Sequence, residues 1–230
     1  MSEKPILFSG LMVRAILDGR KTQTRRVVKI QPPEDVGEIV TGRYHPVIID
    51  RDGVEQPGRE TFGAYDYDGR WGCRCPWEPG DLLYVRETWS PVPWSDGNGN
   101  DTTKVLYRAT DPHGGNWRPK EGDRWRPSIH MPKWAARTWL RVTDVRVERL
   151  QEITEADAKR EGFADTETVD RSLEGKRLTA DLTFGAMTVW ASASGNFETL
   201  WDALNAKRGY GWDVNPWVWV VTFERTEAPQ

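Results

Sequence analysis

The sequence predicts an α+β fold, a sheet-rich body with flanking helices and a large β/loop insertion. Three stretches carry that expectation. Trp217-Val218-Trp219-Val220-Val221-Thr222-Phe223 is apolar at both parities over most of its length, the pattern of a strand covered on both faces. Thr138 to Glu148 reads as a long strand whose apolar positions change phase, Leu140 and Val142 against Val145 and Val147. A bulge or bend is therefore expected near Thr143-Asp144, as where a barrel turns a corner. Phe197, Leu200, Trp201 and Leu204 recur at i, i+3, i+4 and i+7, so an amphipathic helix should pack on the strands.

The other elements follow in order. Pro5 to Phe8 reads as a first strand. Leu11 to Leu17 reads as a short helix with Ser9 as its N-cap and Met12, Ala15 and Ile16 on one face. Gly19 suits a left-handed turn at its end. Val27-Val28 would continue a strand that Pro32-Pro33 stops. Residues 31–79 are rich in Gly, Pro, Asp and Arg, and Asp68-Gly69 between aromatic flanks predicts a hairpin. This stretch reads as an elaboration within one domain spanning 1–230. Leu82 to Glu87 and Lys104 to Ala109 are further strands, separated by a Gly/Asn/Asp loop from Ser95 to Asp101, and Asp111 to Asp123 is turn-rich. Thr154 with Asp157 opens a helix that Gly162 closes. Residues 164–195 read as a second elaboration, with 165–177 a flexible excursion.

Between the first helix and the next strand lies Arg20-Lys21-Thr22-Gln23-Thr24-Arg25-Arg26, four cations interleaved with two hydroxyls. In an extended chain Arg20, Thr22, Thr24 and Arg26 share one face, and Lys21, Gln23 and Arg25 the other. A hydroxyl near a lysine in such a loop suits a nucleophile beside its base. The same run also reads as a solvated turn or a phosphate-binding segment. Arg86-Glu87-Thr88-Trp89 places a carboxylate and an indole on one side, a pairing able to hydrogen-bond and stack a nucleobase, or simply a partner for one of the many arginines. Pro127 and Pro132 bracket a rigid loop in which Ser128 and His130 are candidate pocket-wall groups. Glu161 falls in the last turn of its helix, where the dipole disfavours a carboxylate, so a cationic partner such as Lys21 is expected.

Composition narrows the function. The net charge is −3, which supplies no global basic field for coating a duplex. A local basic site for a nucleoside, nucleotide or single strand is favoured instead. No run approaches a membrane span and the first residues lack an apolar signal segment, which gives an expectation of a cytoplasmic protein with no membrane partner. Cys73 and Cys75 are too close in sequence for an unstrained disulfide. With His45, His113 or His130 they form only a weak zinc pattern, and neither metal nor cofactor is expected. The 13 tryptophans divide between core and base-stacking roles that composition does not separate.

Gly19, Lys21 and Arg26 match the Gly-x-Lys-x-x-Glu-x-Arg signature of the ASCH domain family, whose fold resembles PUA domains. Thr24 stands where most of that family carries glutamate. The small bacterial ASCH proteins that act as N4-acetylcytidine amidohydrolases have threonine there, in a similar Gly-Arg-Lys-Thr-x-Thr-x-Arg run. Ile153 to Gly162 resembles the later helix of those enzymes, Gly80-Asp81 before Leu82 to Val85 their entry into a barrel strand, and Trp217 to Phe223 their last strand. As a whole the chain resembles longer ASCH proteins common in phages and prophages, for which the compartment would be the host cytoplasm.

The resemblance implies a PUA-like β-barrel and a pocket for an N4-acylated cytosine. It implies Thr24 as nucleophile, Lys21 as base and Glu161 as proton-transfer group. Arg26, Arg86, Glu87, Trp89, Ser128 and His130 are the expected substrate-binding residues. Two other activities fit the same pocket, non-catalytic reading of RNA or a modified base, and ribonuclease action.

Overall fold

A computed structural model describes residues 2–95, 101–111, 124–164 and 192–229. The loop from Ser95, the turn-rich stretch with His113, and the 165–191 part of the second elaboration lie largely or wholly outside the described residues.

The chain opens with β1 (Glu3–Leu7) and α1 (Gly10–Leu17). Ser9 caps α1 by accepting from the Met12 amide, and Gly19, at φ 75°, turns the chain back beyond its end. β2 (Gln23–Val27) follows. The insertion holds β3 (Ile39–Tyr44), β4 (Val47–Ile49), β5 (Glu55–Pro57), β6 (Thr61–Asp66) and β7 (Gly72–Arg74). Then come β8 (Leu82–Arg86), β9 (Trp89–Ser95), β10 (Asp101–Tyr107) and β11 (Trp139–Arg149). α2 (Glu155–Arg160), α3 (Ala193–Asn205) and β12 (Trp217–Thr226) complete the order.

The α+β class holds, and the strands form an open sheet where a barrel was expected. Five strands run in the order β1-β8-β11-β12-β2, with β1 parallel to β8 and the other neighbours antiparallel. β1 and β2 are its two edges, and among the described residues they do not pair to close it. The expected irregularity in β11 is present: its register on β12 shifts between Val142 and Asp144.

β12 explains why its sequence is apolar on both faces. Trp219, Val221 and Phe223 enter a core with Val13 and Ile16 of α1, whereas Val218 and Val220 enter a second core with Ala158, Phe197 and Trp201. One strand is thus sandwiched between α1 and the α2/α3 pair, and burial of its branched and aromatic side chains stabilises all three contacts.

The insertion is built of small separate sheets, β3-β6-β7 and β4-β5, as an elaboration should be. Ala64, Trp71, Cys73 and Cys75 attach it to the first core. Gly63 is required there: a Cβ on it would lie 2.3 Å from the Cys73 carbonyl oxygen. Buried Asp81 fixes the start of β8 to the chain's beginning, accepting from Ser2 Oγ at 2.6 Å, Lys4 Nζ at 2.5 Å and the Glu78 amide at 3.0 Å. Burial works against its ionisation, but these donors win and hold its pKa below the usual aspartate value. No described helix is long and apolar enough to cross a membrane.

Candidate active site

The segment after α1 is placed by backbone bonds at both ends. The Arg20 and Lys21 amides donate to the Ala15 carbonyl at 2.9 and 3.0 Å, satisfying the end of α1. The Thr22 amide donates to the Arg160 carbonyl at 2.8 Å, and Lys21 bridges to Glu161. The end of α2 is shaped to receive it. Thr154 caps α2, Glu161 is its C-cap, and Gly162 at φ 97° turns the chain away beneath the lysine.

Lys21 and Glu161 are each 3% exposed, so the pair has left water. Lys21 Nζ donates to Glu161 Oε2 at 2.7 Å and to the Glu161 carbonyl at 2.8 Å. It also lies 5.5 Å from the centre of the Phe8 ring. Burial is the strongest influence and pulls the Lys21 pKa below the ordinary lysine value; Glu161 pulls it back, and the nearby Arg26 and Arg25 push it down again. Desolvation with two cationic neighbours therefore outweighs the single carboxylate.

Arg25 holds the other side of Glu161. Its Nη1 lies 3.4 Å from Glu161 Oε1, while its Nε and Nη2 donate to Glu148 at 3.1 and 2.5 Å and Nη2 lies 3.4 Å from Asp157. Arg146 completes the group, at 3.0 Å from Glu148 and 3.5 Å from Asp157. The two oxygens of Glu161 are thus divided, one to Lys21 and one to Arg25. Such a division fixes the carboxylate plane through both oxygens.

Thr24 sits between these cations on β2, paired with Val221 of β12. It is 4% exposed. Thr24, Lys21, Arg26 and Glu161 all line one cavity of about 1950 Å³. Arg26 stacks over Phe8 at 5.3 Å and donates to the Leu7 carbonyl at 2.7 Å. The arrangement offers an amine of lowered basicity, a hydroxyl, and a fixed carboxylate in one water-poor recess.

Ser128 and Thr88 also line that cavity, whereas the other expected binding residues are placed elsewhere. Glu87, 1% exposed, is closed in a fork with Arg137, both bonds 2.9 Å long. Trp89, 2% exposed, packs in a small core with Met131 and Ala135, edge-on to Trp134 and beneath Arg126. Burial removes both from a base-reading position. Arg86 spends its guanidinium on the Ile129 carbonyl, and His130 is exposed outside the cavity wall.

Sequence reasoning missed Arg25, Glu148 and Asp157. The signal available was parity, because Arg25 shares the Lys21 face of β2 and so meets the same acidic helix. It also missed that the insertion and α3 build the cavity wall, through Cys73, Arg74 and Trp77 and through Leu200 and Trp201. Cys73 and Cys75 are buried free thiols whose pKa values burial raises, that of Cys75 to about 12. Among the described residues no three His, Cys, Asp or Glu side chains gather as metal ligands.

No family model matches this chain, nor does any curated protein or solved structure.

Proposed function

We propose that this chain is an ASCH-type, PUA-like enzyme of the longer phage kind, working in the cytoplasm, and that it hydrolyses the amide of an N4-acylated cytosine nucleoside or nucleotide. The observation that carries the reading is the buried lysine of lowered basicity, held by Glu161 and lining the same cavity as the Thr24 hydroxyl.

In this reading Thr24 Oγ attacks the acyl carbonyl as Lys21 Nζ accepts its proton. The negative charge that develops on the carbonyl oxygen is met by Arg26, which lines the same cavity. Collapse breaks the carbon–nitrogen bond. The proton on Lys21, relayed through Glu161, goes to the departing N4 amine, leaving the acyl group on Thr24. Water then attacks that ester with the same pair removing its proton, and Thr24 recovers its hydrogen as the carboxylic acid leaves. Ser128 serves the far wall of the base pocket.

The experiment is release of cytidine from N4-acetylcytidine and its deoxy form by wild type, Thr24→Ala and Lys21→Ala. Turnover by wild type and a fall of about 10³-fold or more in both variants is the expected result. Folded wild type that binds the nucleoside without turning it over defines a reader, and cleavage of RNA strands defines a ribonuclease. Either result overturns the hydrolase.

A further inference from the structure

The cavity is larger and more cationic than an acylated nucleoside requires. Small-ligand pockets commonly enclose roughly 300–1,000 Å³, and this one encloses about 1950 Å³. Its walls carry Arg14 from α1, Arg26 and Lys29 from β2 and its continuation, Arg74 from the insertion, Arg108 after β10, and Arg208 after α3. Among the described residues none of these six forms an ion pair with a carboxylate. Exposed arginines elsewhere do so: Arg43 pairs with Glu60 and Glu78, and Arg70 with Asp68.

Opposing them among the described residues of the cavity wall are two acids, Glu161 and Asp111, and Glu161 is already bound to Lys21 and Arg25. The chain as a whole is acidic, with a net charge of −3, so the positive charge on this wall is a local surplus. Five of the six cations are solvent-exposed. A phosphate beside them needs no buried charge to be desolvated and releases counterions on binding. Trp77, half-buried on the wall contributed by the insertion, offers an aromatic face for a neighbouring base.

We propose that the cavity takes its cytosine as one residue of a single-stranded oligonucleotide, with the flanking phosphates running past Arg74, Arg108 and the other unpaired cations of the wall. The insertion at 31–79 then has a role, since it supplies Arg74 and Trp77 to that track. This rests on the cytosine reading of the cavity but not on turnover. A flat duplex is a poor fit, because a base must leave its stack to reach Thr24.

The test is binding of fluorescently labelled octacytidylate, followed by anisotropy over a salt series, with cytidine and cytidine monophosphate as competitors. The octamer should bind at least tenfold more tightly than the monophosphate. Its affinity should fall with salt, with a log–log slope of about −0.7 for each phosphate contacted. Arg74→Ala/Arg108→Ala should bind more weakly and reduce the slope by about 1.4, two contacts' worth. That variant should keep its thermal midpoint, and Arg70→Ala should bind like wild type. Monophosphate binding as tight as the octamer, salt-insensitive binding, or an unaffected double variant would overturn the strand proposal. The two readings fail separately. Octamer binding without hydrolysis removes the hydrolase and keeps the strand site. Full hydrolysis of the free nucleoside without octamer binding does the reverse.

Discussion

Arg25 shows how much of this site depends on one buried side chain. Its guanidinium touches Glu148, Asp157 and Glu161 while wholly withdrawn from solvent. Removing the cation leaves three acids sharing Arg146, Arg160 and Lys21. Breaking a buried ionic group in this way costs about 3–5 kcal/mol, because the abandoned charges stay buried. Arg25→Met should therefore unfold in urea with a loss of that order. Arg25→Lys should recover part of it, since it restores the charge without the planar fork. Equal stability of Arg25→Met and wild type would show the network to be energetically idle. The Lys21–Glu161 contact was foreseeable from a carboxylate set against the helix dipole, whereas grouping the pair with Thr24 came from the ASCH resemblance. Arg25 was not legible, because its importance comes from acids supplied by β11 and α2. Glu87 admits two readings from sequence for the same reason, and the arginine partner is the one found. A carboxylate beside an indole looks like a base reader until Arg137 is found closing on it from a distant stretch.

At the scale of elements, the contact between the β2 entrance and the end of α2 sets the lysine. Gly162 lies at φ 97°, and a Cβ there would meet the Cβ atoms of Ala15 at 3.0 Å and Lys21 at 3.2 Å. Gly162→Ala therefore combines left-handed strain with crowding against α1 and the lysine stem. A loss of roughly 1–3 kcal/mol is expected, read as a lowered unfolding midpoint, together with weaker turnover because Lys21 moves from Glu161. A variant as stable and active as wild type would contradict that placement. Elements with strong local signatures were legible: the α1 cap, the Asp-Gly turn of β6–β7, the β11 irregularity and two-faced β12 all occur where their residues put them. Barrel closure was not. It depends on whether the two edges meet, and no local pattern in β1 or β2 encodes that pairing.

For the molecule as a whole, the sheet separates two cores, and the cavity is bounded by parts far apart in sequence. α1, β2, the insertion and α3 each contribute wall residues. This assembly concentrates cations in a chain whose total charge is acidic, a property invisible in composition because composition sums over the surface. The same assembly dries the Lys21–Glu161 pair, so the reaction proposed at Thr24 would depend on the whole fold. The most direct measurement is the pH dependence of kcat/KM on N4-acetylcytidine. In the proposed reaction Lys21 must shed its proton before it can take one from Thr24, so activity should fall as pH drops through its lowered pKa and level off above it. The step should lie clearly below the ordinary lysine value of about 10.4 and should vanish with the activity in Lys21→Ala. A rate that keeps climbing into the ordinary lysine range, or a profile that Lys21→Ala leaves unchanged, would contradict a neutral buried lysine as the base.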